Sequence, residues 1–191
     1  MALGLVASAD EGELNGHSKK GVTMYYQLTI PSFIQGLRNL SACLDKGAGF
    51  ADSKKFESEV LCNSRLAPDQ FNLIRQVQIA CDTAKLCASR LTGKDAPSNP
   101  DSEKTIAELK TRIQSTISYL EKFTEKDYSE AANRKVTQKR WEDKWLTGED
   151  YLLHHALPNF YFHVTTAYAI LRHNGVPVGK GDFLGELPFK K

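Results

Sequence analysis

Four of the chain's five histidines crowd into one stretch, HHALPNFYFHVTTAYAILRHNG at residues 154–175, which is otherwise apolar and aromatic. Imidazole exchanges protons near neutral pH and also ligates transition metals, so spacing decides which chemistry is open. On a helix, His163 and His173 stand about 15 Å apart along the axis and cannot share an ion. His154 and His155 are adjacent and diverge by about 100°. His155, Asn159 and His163 form an i, i+4, i+8 stripe whose neighbours touch, but whose ends lie about 12 Å apart. No HExxH pattern occurs. His173 falls in a last helical turn, where a cation meets the helix dipole. His163 differs from the others. Its seam neighbours Ala156, Phe160, Ala167 and Ile170 are apolar, so its ring should point inward. An inward histidine is more often a satisfied core residue than a functional one. Pro158 lies in the same pattern; it removes an N–H and crowds the carbonyl of His154, which predicts a kink one turn before His163.

The segments that must position these residues are helical. Ile30, Phe33, Ile34, Leu37, Leu40 and Leu44 recur at helical spacing over about 30–44, with Pro31 in a first turn. Leu73, Val77, Ala80, Ala84, Cys87 and Leu91 form a seam on a second helix over about 68–91. Ile106, Leu109, Ile113, Ile117 and Leu120 mark a third, over about 101–123. A fourth spans about 148–174, capped by Thr147 with Asp150, and closed by Asn174 or Gly175 with Pro177 beyond. Its seams are Leu153, Leu157, Phe160, Val164, Ala167 and Leu171, and Ala156, Phe160, His163, Ala167 and Ile170. Between the third and fourth, RKVTQKRWEDKWLTG reads as a small β-hairpin pairing 135–141 with 144–147. The expected fold is all-α: an up-and-down four-helix bundle with one hairpin between helices 3 and 4.

Composition narrows the function classes. With 25 basic and 23 acidic residues the net charge is +2, which leaves no footprint for nucleic acid or an anionic membrane. No apolar run is long enough for a membrane span. Cys43, Cys62, Cys81 and Cys87 show neither CxxC nor zinc-like spacing, and Cys81 and Cys87 fall inside a helical pattern. Reduced core thiols point to the cytoplasm. The N-terminal ALGLVASA lacks the basic flank of a signal peptide. Residues 1–23 are glycine-rich and without period; they read as a disordered extension, carrying His17, ahead of a bundle domain at 24–191.

The stretches YYQLTIPSFIQGLRNLSACLDK, RLAPDQFNLIRQVQIACDTAK and DYLLHHALPNFYFHVTTAYAILRHNGVPVGKGDFLG together resemble a domain-of-unknown-function family within the DinB/YfiT-like superfamily, over about Tyr25 to Gly185. The resemblance implies a four-helix bundle. It also implies relatives that include metal-dependent enzymes, such as thiol transferases, and that often dimerise. Their sites use one histidine on the second helix and an HxxxH pair on the fourth. His163 matches the second member of that pair, Asn159 falls on the first, and Thr83 falls at the second-helix position. The arginine and glutamine that often follow are replaced by Val164 and Thr166. One imidazole of three survives, and Asn and Thr oxygens are poor substitutes at a transition-metal site.

The leading expectation is a small-molecule cleft without metal or cofactor. His163 would serve as acid or base in a lyase, isomerase or cyclase type of reaction. Thr83, Asn159 and His155 would bind substrate, with Trp141 and Trp145 walling the mouth. The alternatives are a degenerate Zn or Ni enzyme, of transferase or hydrolase type, and a non-catalytic homodimeric interaction module.

Overall fold

The apolar seams become the core. The computed structural model describes the backbone of residues 11–190 and the side chains of residues 21–190. Helix α1 spans Glu11–Lys54, α2 Glu59–Asn63, α3 Leu73–Thr92 and α4 Ile106–Leu120. The last long helix is compound: α5 at Gly148–Tyr151, a π-helical turn at Leu152–Ala156, then α6 at Leu157–His173. A short α7 follows at Lys180–Leu184. Helix α3 packs between α4 and α6, and α1 packs against both from the other side. The all-α expectation holds; the described residues contain no strand.

Every residue of the α3 seam, and of the α4 seam, is buried. So are all six seam residues expected around 30–44. Phe33 and Phe160 meet at 4.6 Å between ring centroids, joining α1 to α6. Gly36 permits this approach, since a Cβ there would stand 2.8 Å from the Phe160 ring.

The boundaries differ from the periodic reading in instructive ways. Pro31 lies inside α1 rather than in its first turn. The carbonyl of Gln27, which a proline N cannot serve, instead accepts the Ser32 hydroxyl at 2.8 Å. The helix backbone continues to Glu11, and Val22 already packs on the core. Residues 1–10 of the expected extension lie outside the described residues. Helix α3 starts at Leu73, because Asn72 caps it by accepting from the Arg75 N–H at 3.1 Å. Helix α4 starts at Ile106, behind a capping box in which Thr105 and Glu108 satisfy each other's backbone N–H. At the other end of α6, Gly175 takes the left-handed position with φ +87°.

The expected hairpin shrinks to a single antiparallel bridge, Val136 with Leu146, through two backbone hydrogen bonds of 2.9 Å. Its ladder stops there because residues 139–141 fold into a 3₁₀ turn. That turn delivers Arg140 and Trp141 onto His155. Leu153, expected in a core seam, is 44 % exposed. The π-turn rotates it out of register with the α6 face.

Candidate functional site

His163 projects from α6 toward α3 and is 7 % exposed. Its Nδ1 lies 2.7 Å from Oε1 of Gln76, which is also buried. The orientation of that amide follows from its other end, where Nε2 donates to the Phe71 carbonyl at 2.9 Å. An oxygen therefore faces the imidazole, and Nδ1 must carry the ring proton. Nε2 is left as an acceptor, with no protein partner among the described residues. It is not among the sealed polar atoms either. Burial, assisted by the charge of Arg75, pushes the His163 pKa down to about 4. The ring is neutral at physiological pH.

One turn away, Asn159 donates its amide to Thr83 Oγ1 at 2.7 Å. Thr83 passes its own proton to the Ile79 carbonyl at 2.7 Å. The hydroxyl thus has to accept, and the Asn159 side-chain oxygen is turned away from Thr83.

His155 reaches the same cleft from the π-turn. A π-turn widens the helix by one residue, and the Leu157 N–H bonds back to the Leu152 carbonyl. Pro158 follows at the start of α6 and has no N–H for the His154 carbonyl. The expected kink is thus realised as a π-turn. The His155 ring stacks on Tyr151 at 5.4 Å and meets Trp141 edge-on at 5.4 Å. Its Nε2 accepts from Arg140 at 2.7 Å. Burial and the charges of Arg140 and Arg90 lower its pKa. Arg90 donates to Tyr151 Oη at 2.9 Å and sits over the same ring, 5.6 Å from its centroid.

His163, Asn159, Thr83, His155, Tyr151, Arg75, Arg90 and Arg140 line one cleft of about 420 Å³, together with Phe71, Ile79, Asp82, Leu86 and Gln138. Of the expected site residues, His163, Thr83, Asn159 and His155 line it. Trp141 backs its wall through His155 and Tyr151. Trp145 does not line it; it is 51 % exposed and stands under the Lys135 ammonium at 5.2 Å. Its place at the mouth presumed that 135–141 and 144–147 pair as a hairpin, and the 3₁₀ turn at 139–141 leaves only the Val136–Leu146 bridge. His154 and His173 are exposed. A larger groove of about 640 Å³ runs along α1 past Tyr26, Arg38 and Glu121. It contains no histidine, and its Arg38–Glu121 pair is closed at 3.0 Å.

Sequence reasoning missed Gln76 and the cleft arginines. Gln76 was findable: it precedes Thr83 by seven residues, two turns along the same α3 face. Arg140 was not, because a 3₁₀ turn of three residues is too short to show a period.

The residues do not fit a transition-metal centre of the kind the superfamily resemblance implies. One imidazole nitrogen and neutral oxygens, beside Arg75 and its neighbours, make a weak donor set in a repulsive field. No group of three or more His, Cys, Asp or Glu side chains among the described residues is placed to hold an ion. Nor is any described helix long and apolar enough to cross a membrane.

No protein of curated function matches the chain. A crystal structure of a DinB family member protein from Shewanella denitrificans is similar at 55 % identity and a TM-score of 0.88. The match covers 91 % of this chain and 98 % of that one. Residues 25–184 match the family model described as Domain of unknown function (DUF1993). With most of its length matched, the chain belongs to the DUF1993 family of DinB-like helical proteins.

Proposed function

We propose that this protein binds and transforms a small organic molecule by acid–base chemistry in the His163 cleft, on a four-helix, up-and-down scaffold and without a metal. The observation that carries the reading is the Gln76–His163 contact at 2.7 Å. A buried amide whose other end is tied to backbone selects one imidazole tautomer and aims the basic nitrogen into a cleft. Core packing alone needs no such choice. Nε2 would take a proton from, or share one with, a substrate hydroxyl or activated C–H. The Gln76 oxygen would hold the Nδ1 proton as charge develops on the ring. Asn159 offers an amide oxygen for orientation. The type of step that needs least is an isomerisation, elimination or cyclisation, since no nucleophile–base pair is present in the cleft lining.

The test is twofold. Elemental analysis of untagged protein should give less than 0.1 equivalent of Zn, Ni or Fe. In parallel, ring ¹⁵N spectra should show His163 as the Nδ1–H tautomer at pH 7. Stoichiometric metal that is lost in His163→Gln would replace this reading with a metalloenzyme. A second reading, a homodimeric module, draws on the exposed aromatics Phe71, Tyr161 and Phe162. Sedimentation of the full chain would test it.

A further inference from the structure

The cleft is electrostatically lopsided. Three guanidiniums, Arg75, Arg90 and Arg140, line it against one carboxylate, Asp82. Asp82 is already neutralised, by Lys85 at 2.9 Å and Arg112 at 3.0 Å. Arg75 is also committed, to Asp101 at 2.5 Å. Arg90 and Arg140 have no carboxylate partner among the described residues. Both converge on the same aromatic pair: Arg90 bonds Tyr151 Oη, and Arg140 bonds His155 Nε2. Since His155 stacks on Tyr151, the two cations mark one end of the cleft.

The Arg140–His155 contact is a poor match as it stands. By accepting from Arg140, His155 must place its proton on Nδ1. That nitrogen is buried without a hydrogen-bond partner among the described residues. An unpaired buried N–H costs about 1–3 kcal/mol. Any group that takes Arg140 away frees the imidazole to relax. An oxyanion suits that role, because guanidinium pairs with carboxylate or phosphate through parallel, charge-assisted bonds.

We infer that the Arg90–Arg140 end of the cleft binds the oxyanion head, carboxylate or phosphate, of an extended organic ligand whose reacting atoms reach His163. The inference rests on the proposed His163 chemistry and narrows its substrate class. His155 and His163 are eight residues apart on the helix, about 12 Å along the axis. The ligand is therefore a chain with its charge several bonds from the reacting atoms. A volume of about 420 Å³ accommodates such a molecule.

The test uses the full chain with four probes at fixed ionic strength: inorganic phosphate, hexanoate, hexyl phosphate and neutral hexanol. Arginine Nε–Hε and histidine ring ¹⁵N signals report each end of the cleft. Hexanoate or hexyl phosphate should shift Arg90 and Arg140 saturably, and bind at least tenfold tighter than hexanol. Preference between the two distinguishes a carboxylate head from a phosphate. Arg140→Gln, a surface change safe for folding, should cost about tenfold, whereas Lys139→Gln on the same turn should cost nothing. Equal losses in the two variants, equal binding of hexanol, or no response of either arginine to any probe would overturn the oxyanion site. If His163 responds to hexanol alone, the acid–base cleft stands and the oxyanion inference fails. If both arginines respond but His163 never does, the head-group site stands and the His163 chemistry fails.

Discussion

Gln76 and His163 meet at 2.7 Å across the α3–α6 interface, and the amide has no freedom to turn because the Phe71 carbonyl holds its other end. Gln76→Glu should therefore raise the His163 pKa from about 4, since a carboxylate stabilises the charged ring. Gln76→Leu should leave Nδ1 unpaired and cost about 1–3 kcal/mol. Histidine titration by NMR with urea melts of both variants checks the pair. An unchanged titration in Gln76→Glu would show that the contact does not govern the ring.

Stability should fall as pH drops from about 6.5 toward 4. His163 resists protonation in the fold, so the unfolded chain takes the proton first. Its contribution is fully present above about 6.5, its unfolded value, and lost by the folded value of about 4. A gap of this size is worth at most about 3 kcal/mol. Asp101 and Glu103 extend the decline below pH 4. Burial works to raise both, but hydrogen bonds, those from Arg112 among them, outweigh it and hold them below the ordinary range. Urea unfolding at stepped pH should show the upper part of the slope flattened in His163→Gln. Parallel slopes in the two proteins would dismiss the assignment.

Thr83→Val should cost about 1–2 kcal/mol, because it removes the acceptor for Asn159 and leaves that amide unpaired. Thr83→Ser should restore most of the loss. If Val and Ser variants melt alike, the hydroxyl is not what holds Asn159.

Arg112 has a side chain only 2 % exposed and binds Asp82, Asp101 and Glu103. It ties the loop before α4 to α3. Arg112→Met should destabilise by about 3–5 kcal/mol, since three carboxylates lose their common counter-charge. A loss below 1 kcal/mol would mean that the acids are solvated instead.

All four thiols are buried and free. Burial drives Cys81 up to about 12 and Cys43 and Cys62 to about 11, and it raises Cys87 as well. Native protein should react with a disulfide reagent at less than a hundredth of the rate of unfolded chain. Rapid labelling of any one thiol would reveal local opening there.

Helix existence was legible because burial on one face imposes a period on the residues themselves. The α3 and α4 seams read correctly to the last residue. Helix starts were less legible: Asn72 and Thr105 act through side-chain geometry that Pro68 and Asp101 also mimic in sequence. The Thr105-x-x-Glu108 box was nonetheless visible in the letters. For the candidate site, Thr83, Asn159, His155 and His163 could be placed in one cleft from helix phase and resemblance. Trp145 could not, since its placement presumed a hairpin that the structure reduces to one bridge. Leu153 failed because the π-turn changes helix phase, and no periodic count anticipates an extra residue.

That extra residue separates two phases on one helix. Upstream of it, Tyr151 is set by its contact with Arg90; downstream, His163 is set by Gln76. Deleting Leu153, with Pro158→Ala to permit a continuous α-helix, would turn Tyr151 by about 100° relative to His163. The π-turn thus acts as a vernier, through which one insertion or deletion could retune one end of the cleft while leaving the other in register.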